Sequence, residues 1–360
     1  VFRIITRGFL LTLNGICAFI YLLSATAPFI STAKVPLMGF VGLAFPFLLL
    51  LMLAWLAFWL FVSAKYSLIS IIVLLLSSYS VYHYFSFNFS ENKIEAEQPT
   101  FSLMTYNVKV FDLYNWTKNE ESSKKILKDI FDADADIVCI QEFYSDNSEA
   151  FNMLKKLSAV YPHSHIEITL TLRGTDKWGI ATFSKFPIRR KETIRFKGAQ
   201  HNLAIASDIF INGKPVKIYN THLQSIHLNE VEIESIENIS DTIKWYSMDN
   251  VFLKMRKAYA YRAGQADKLK ASMNRSSSPV IIAGDFNDTP NSYVYRTLSK
   301  NLNDTFDEAG FGIGQTYFGK LPAFRIDYIL ADKKMEVLSH KVIRNNNSDH
   351  YAVKAVFTME

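Results

Sequence analysis

Hydrophobic positions dominate the first part of the chain without interruption, and then give way to short alternating runs. Between Gly8 and Ser90 the only formally charged residues are Lys34 and Lys65. They divide the region into apolar stretches at 9–30, 36–62 and 67–85. A bilayer core is crossed by about 20 apolar residues in a helix. Each stretch meets or nearly meets that length, and Pro46 and the Ser-rich tail of the third are tolerable in a membrane helix.

Beyond residue 100 the pattern becomes that of a layered globular fold. Short β-branched and apolar runs predict strands at 101–108, 137–141, 179–184, 203–211, 216–223, 280–285, 326–331 and 351–358. Amphipathic segments lie between them. Thr117 with Glu120 forms a capping-box pattern ahead of Ile126, Leu127, Ile130 and Phe131, and Asp146 with Glu149 precedes Phe151, Leu154 and Leu157. A longer helix is predicted over 251–273. Mixed order of this kind predicts an α/β or α+β architecture.

The chain is thereby divided into a transmembrane region of about three helices (1–86), a juxtamembrane linker (87–100) and a catalytic domain (101–360). The linker is polar, with Glu91, Glu95, Glu97 and Pro99. Arg3 and Arg7 precede the first stretch, and Ala25, Thr26 and Ala27 form an A-x-A pattern at its end, so a cleaved signal peptide competes with an uncleaved anchor, which is preferred. Arg3, Arg7 and Lys65 fall on one side of three spans, and Lys34 and Lys93 on the other. The positive-inside rule then places the catalytic domain away from the cytoplasm, in an integral protein of the plasma or inner membrane. The sequence begins with Val1 rather than Met, and residues preceding it would change the count of spans.

Composition adds little beyond this split. The 360 residues carry a net charge of +5, and the two cysteines, Cys17 and Cys139, form no disulfide framework. Candidate chemistry is more informative, because polar residues gather at predicted strand ends. Asn107 follows the first strand, Glu142 the second, His222 the fifth, and Asp285 and Asn287 the sixth, after Gly284. Asp327 opens the seventh, flanked by Ile326 and Tyr328, and Asp349 and His350 precede the last. A helix cap by Asp285 or Asp288, ahead of Pro290, is the alternative for the sixth. Strands that end together would bring these oxygen ligands and imidazoles into one cleft, and a buried Asp327 would need a partner such as His350.

The segments Thr105-Tyr106-Asn107-Val108, Gln141-Glu142, Asn220-Thr221-His222-Leu223, Gly284-Asp285-Phe286-Asn287, Arg325-Ile326-Asp327-Tyr328-Ile329 and Ser348-Asp349-His350 together resemble the endonuclease/exonuclease/phosphatase superfamily. That group includes pancreatic-type deoxyribonucleases, abasic-site endonucleases, inositol polyphosphate 5-phosphatases and neutral sphingomyelinases. The resemblance covers 101–360 and implies a four-layer sandwich, two mixed sheets packed face to face with helices outside. It implies a Mg²⁺ or Mn²⁺ ion held by Glu142, with Asn107 and Asp349 completing or flanking the site. It further implies that Asp285 activates a water and Asn287 holds it, that Asp327 orients His350 against the scissile phosphate, and that His222 binds or protonates the phosphate from the other side. A carboxylate partner for His222 has no clear counterpart, with Asp176 and Glu167 as weak candidates. Pro322, Ala323, Phe324 and Arg325 faintly resemble the inositol 5-phosphatase signature, and His222-Leu223-Gln224-Ser225 leans towards the sphingomyelinase-like branch.

Substrate choice is assigned to 226–250, where Glu230, Glu232, Glu234, Glu237 and Asp241 are acidic and Trp245 and Tyr246 bulky. Basic runs at 189–197 and 254–275 read as solvated faces first, and as phosphate contacts second. The expected activity is hydrolysis of a phosphodiester, in nucleic acid or a phospholipid head group, by a membrane-anchored metal-dependent enzyme. A phosphomonoesterase of inositol-phosphate type and a catalytically silent binding module are the alternatives. The lipid bilayer is the other expected partner, and no protein partner follows from the residues.

Overall fold

A computed structural model of the chain describes residues 2–88, 99–119, 121–199, 201–226, 244–318 and 324–359. Glu91, Glu95, Glu97, Glu120, the acidic residues from Glu230 to Asp241, and Pro322 and Ala323 lie outside them, as do the side chains of Trp245 and Tyr246.

The apolar stretches are helical. The first is α1 (Phe2–Ala25). The second divides at Ala44 into α2 (Leu37–Leu43) and α3 (Phe45–Val62), with Pro46 in the opening turn of α3, where a missing N–H costs no helical bond. The third breaks at Ser77 into α4 (Ser67–Leu76) and α5 (Ser78–Tyr84), which are bent by 67°. Among the described residues, Thr6–Phe29 and Phe45–Val62 are long and apolar enough to cross a membrane, and the bent pair makes a third if it is one span. Tyr21, Phe45, Met52 and Trp59 are buried between these helices, while Phe9, Phe19, Leu50 and Phe61 face outward.

A small pair, β1 (Ser86–Phe87) with β11 (Phe311–Gly312), follows the helices. The rest is a sandwich. One sheet runs β10 (Leu302–Asp304), β12 (Asp327–Asp332), β9 (Val280–Asp285), β8 (Lys214–His222), β7 (Leu203–Ile211), β6 (Ile188–Arg195). The other runs β13 (Met335–Ile343), β14 (Ala352–Met359), β2 (Thr100–Asn107), β3 (Ile137–Ser145), β5 (Asp176–Ser184), β4 (His163–Leu172). The pairs β8–β9 and β2–β3 are parallel and the others antiparallel, so both sheets are mixed.

Period-two alternation explains the layers. Ile281 and Ala283 of β9 join Leu103, Cys139, Ile218, Ile329 and Val353 between the sheets. Val280 and Ile282 point the other way, against Ala266 and Leu269 of α8 (Lys244–Met273) and Leu298 of α9 (Tyr293–Ser299). On the far side, α6 (Ser122–Ala133) and α7 (Met153–Ser158) cover Met104, Val138 and Phe183. The four-layer sandwich expected from the resemblance is therefore the observed architecture.

Every predicted strand exists, but the small pair β1–β11 was not predicted, nor were β4, β6, β10 and β13 of the sandwich. All four are sheet edges, where solvated positions dilute the apolar signal; β6 is the basic run at 188–195. The helix starts also differ. Asn152, not Asp146, caps α7, because Asp146 instead accepts from Ser148 N and Oγ in a local turn. Thr117 does not cap α6, since its hydroxyl is taken up by Asp112 and Ser122. Ser292 caps α9, while Asp288 turns inward to Arg262.

Two residues test the packing. His165 in β4 is buried, and its Nδ1 meets Ser207 Oγ of β7 at 2.9 Å, tying the two sheets together. Burial, helped by Lys191, lowers its pKa from 6.5 to about 4. The unfolded chain therefore takes up the proton first, and this contribution to stability is complete above 6.5 and lost as pH falls towards 4. A His165→Asn variant is expected to lose less thermal stability than the native chain between those limits; parallel melting curves would contradict this. Gly284, next to last in β9, has φ +141, and a Cβ there would collide with the Thr221 carbonyl oxygen of β8. Gly284→Ala is expected to lower the melting midpoint by roughly 5–10 °C. The control Gly213→Ala, at φ +82 in open space, should lose only a few degrees; equal losses would refute the steric account.

Candidate active site

Strand direction alone gathers the polar residues at one end of the sandwich. β2 and β3 are parallel, so Asn107 and the far part of β3 finish together, as do His222 and Asp285 at the ends of parallel β8 and β9. β12 runs antiparallel to β9 and pairs Asp327 with Asp285, while β14 runs antiparallel to β2 and is preceded by Asp349 and His350. Glu142 reaches this end through a bulge. Between Ile140 and Phe143 the register with β5 shifts, and Glu142 takes φ +51. That left-handed backbone costs a non-glycine residue about 1–2 kcal/mol, and it turns the carboxylate into the cleft.

A buried amide layer supports the bulge from below. Gln141 Nε2 donates to Asn220 Oδ1 at 2.7 Å, and Asn220 Nδ2 donates to Ala181 O at 2.8 Å, so β3, β5 and β8 are locked across the two sheets. Thr105 completes the layer, accepting from Gln141 Nε2 at 3.0 Å.

Asp285 lies at the centre and is 1% exposed. Its Oδ1 accepts from Asn287 N at 2.8 Å, and its Oδ2 accepts from Asn107 Nδ2 at 3.0 Å and Asn287 Nδ2 at 3.1 Å. Two imidazoles flank the same oxygen, His222 Nε2 at 3.7 Å and His350 Nε2 at 3.8 Å. The other ring nitrogen of His350, Nδ1, donates to Asp327 Oδ2 at 2.9 Å. Burial raises Asp285 to about 6 against the pull of His350. Burial lowers His350, but Asp327 and Asp285 outweigh it and push the imidazole up to about 10. A buried carboxylate beside a protonated imidazole is suited to accepting a proton from water next to an anion.

On the open side, Glu142 Oε1 is 3.4 Å from Asn107 Nδ2 and 3.8 Å from His222 Nε2, and desolvation in the cleft followed by Asp349 raises its pKa. The expected partners of His222 are engaged elsewhere: Glu167 holds Thr193 and Arg195, and Asp176 accepts from Thr175.

Two residues of the site were not singled out from the sequence. Lys109 Nζ pairs with Asp349 Oδ2 at 2.8 Å and lies 5.0 Å from the Trp116 ring. It is delivered by a left-handed turn in which Lys109, Val110, Phe111 and Asp112 all have φ between 45 and 57. Nothing in that tetrapeptide signals such a turn, which is imposed by the burial of Val110 and Phe111. Tyr317 bridges to His350 and stands edge-on to its ring at 5.1 Å, and burial raises its hydroxyl to about 12. Cavities of about 320 and 310 Å³ lie away from these residues.

The donor set fits a hard divalent cation. Four carboxylates face Lys109 and two imidazoles, leaving an excess of negative charge. The ligand atoms of Asp285, Asp327 and His350 lie within 4.8 Å of one another. In that trio Asp327 Oδ2 is already taken by His350, and both Asp285 oxygens are engaged by amides. The Glu142 and Asp349 side chains are 35% and 25% exposed, leaving room for the waters that Mg²⁺ retains.

Comparison with known proteins agrees with this geometry. The family described as Endonuclease/Exonuclease/phosphatase matches residues 104–350, and a domain of unknown function matches residues 7–84. No curated protein matches the chain. Among solved structures, the catalytic domain of human nocturnin with a bound sulfate anion is 21% identical, covering 73% of this chain and 94% of that one with a TM-score of 0.51. A family protein from Bacteroides thetaiotaomicron is 13% identical, covering 74% and 100% with a TM-score of 0.52. An endonuclease/exonuclease/phosphatase from Beutenbergia cavernae is 17% identical, covering 72% of each chain with a TM-score of 0.50. These structures share the fold with this protein, and the match over 104–350 establishes more: the chain belongs to the endonuclease/exonuclease/phosphatase family, whose members are metal-dependent hydrolases of phosphoester bonds.

Proposed function

We propose that this protein is a membrane-anchored phosphodiesterase that hydrolyses its substrate by in-line attack of water. The observation that carries the reading is Asp285, fixed by two amides and set between two imidazoles. Asp285 accepts the proton of the attacking water, and Asn287 orients that water. His350, held by Asp327, stabilises the charge that develops on the phosphoryl oxygens, and His222 binds or protonates the phosphate from the opposite side. Lys109 adds a positive charge at the open rim. Asn107, Glu142 and Asp349 are the residues that would hold Mg²⁺ or Mn²⁺, which when bound supplies Lewis-acid polarisation of the phosphate. A silent binding module has no chemical need for this complete set.

A phospholipid head group is favoured over nucleic acid, because the apolar helices pack beside the loop that leaves Asp285. Ser80 of α5 bonds to Asn291 of that loop at 2.7 Å, so the cleft opens close to where a bilayer surface would lie. The orientation reading also gains support. Arg7 and Lys65 both lie over Tyr66, at 5.9 and 4.9 Å, at the far end of the helices from the catalytic domain. A cationic end away from the domain is the cytoplasmic end by the positive-inside rule. The uncleaved-anchor reading is supported by Ala27, which is 2% exposed and packs beside Gly42.

The full chain, assayed with Mg²⁺ or Mn²⁺ on sphingomyelin vesicles, plasmid DNA, RNA and inositol phosphates, is expected to turn over the lipid fastest. Glu142→Gln and His350→Ala are each expected to lower kcat/KM by about 100-fold or more, and chelation should abolish activity. Unchanged turnover in both variants would remove the assignment of the site. For topology, a reporter fused after Glu360 is expected to be active only outside the cytoplasm; activity confined to the cytoplasm would reverse the orientation.

A further inference from the structure

The loop that leaves Asp285 is gripped from the side of the apolar helices. Asn291 is fully buried, and its Nδ2 donates to Ser24 O of α1 at 2.9 Å and to Gly42 O of α2 at 3.3 Å. Its Oδ1 accepts from Ser80 Oγ of α5 at 2.7 Å. One side chain thus meets three helices. The approach of α2 depends on Gly42, where a Cβ would stand 2.6 Å from the Asn291 carbonyl oxygen. The same helix lies flat on α8, because a Cβ at Gly39 would strike the Tyr259 ring.

The strand that opens at Asp327 is held from the same side. Arg325 Nη2 donates to His83 O of α5 at 2.7 Å, and its Nη1 donates to Asp304 Oδ2 at 2.6 Å. The Tyr328 hydroxyl lies within reach of both Asp288 O at 2.9 Å and Arg325 O at 2.8 Å, and so joins the two anchored segments. Backbone next to Asp285 and backbone next to Asp327 therefore share one support, and that support consists of apolar helices outside the sandwich. A helical region serving only as a tether would need no contact with either strand end.

We propose that the apolar helices position the active site: through Asn291 and Arg325 they set Asp285 relative to the Asp327–His350 pair. Asn291, Ser80 and Arg325 are then positioning residues, and the helices are part of the catalytic unit. This rests on the reading of Asp285 and His350 as reacting groups, and it extends that reading to a region that touches neither.

The test uses the full chain in dodecyl maltoside micelles with Mn²⁺ and bis(4-nitrophenyl) phosphate as probe. Ser80→Ala and Asn291→Ala are expected to lower kcat by about 10- to 100-fold while KM stays within about twofold, as a small misplacement of a reacting group does. Amide hydrogen exchange at 284–292 is expected to quicken by about tenfold or more, with β2 and β14 unchanged as a check of folding. If kcat and exchange at 284–292 both stay within about twofold of the native chain, the helices are only an anchor and the proposal is overturned. Should Asn291→Ala fail to fold, Ser80→Ala, which removes a single oxygen, decides the matter. A native chain that leaves the probe intact sinks the phosphodiesterase reading instead, and hydrogen exchange then decides the grip alone: faster exchange at 284–292 sustains it, and unchanged exchange overturns it.

Discussion

Glu142, Asp285, Asp327 and Asp349 bring four carboxylates to one end of a sandwich whose interior is largely apolar, and the surrounding structure is organised around that charge. An unpaired carboxylate in such a place is strongly unfavourable. Asp327 is matched by His350 at 2.9 Å, Asp349 by Lys109 at 2.8 Å, and Asp285 by the amides of Asn107 and Asn287. What is left over, mainly at Glu142 and on the exposed rim, is the kind of field that draws a divalent cation and then an anionic phosphate. The same field explains why His350 holds its proton far above the usual range, while burial, opposed by His350 and helped by Asp327, makes Asp285 lose its proton late.

Part of the backbone strain lies where the charge is. Glu142, Asn287 and the run from Lys109 to Asp112 all occupy positive φ, and each of these segments presents a polar group to the cleft. Strain of this type persists only where the flanking structure over-determines it. Here the flanks are central strands with both faces covered, together with the amide layer of Gln141 and Asn220 that spans both sheets. Rigid strands on each side let the turns between them adopt costly conformations without unfolding.

The apolar helices add a second source of rigidity from outside the sandwich. Their far end carries Arg7 and Lys65, and their near end is threaded by Asn291 and Arg325 into the segments that leave and enter the central strands of one sheet. The apolar helices and the sandwich thus form one packed body, with buried hydrogen bonds across the joint.

Much of this was legible in the order of residues. The uninterrupted apolar stretches, the eight predicted strands, and the placing of Asn107, His222, Asp285, Asp327 and His350 at strand ends follow from local periodicity, a property of consecutive residues; Glu142, expected after its strand, lies inside β3 and reaches the same end only through a bulge. Edge strands such as β6 were hidden because solvent faces them and polar residues satisfy them equally well as loops. The capping residues of α6 and α7 were misplaced because Thr117 and Asp146 found nearer partners. Lys109, Tyr317, the left-handed turn at 109–112 and the grip of Asn291 on three helices could not be read at all. They arise between segments far apart in the chain, where burial and hydrogen bonding select one conformation from many that the local sequence permits. The chain's own order thus settled which chemical groups sit at which strand ends, and only the packing of distant segments settled how those groups face one another.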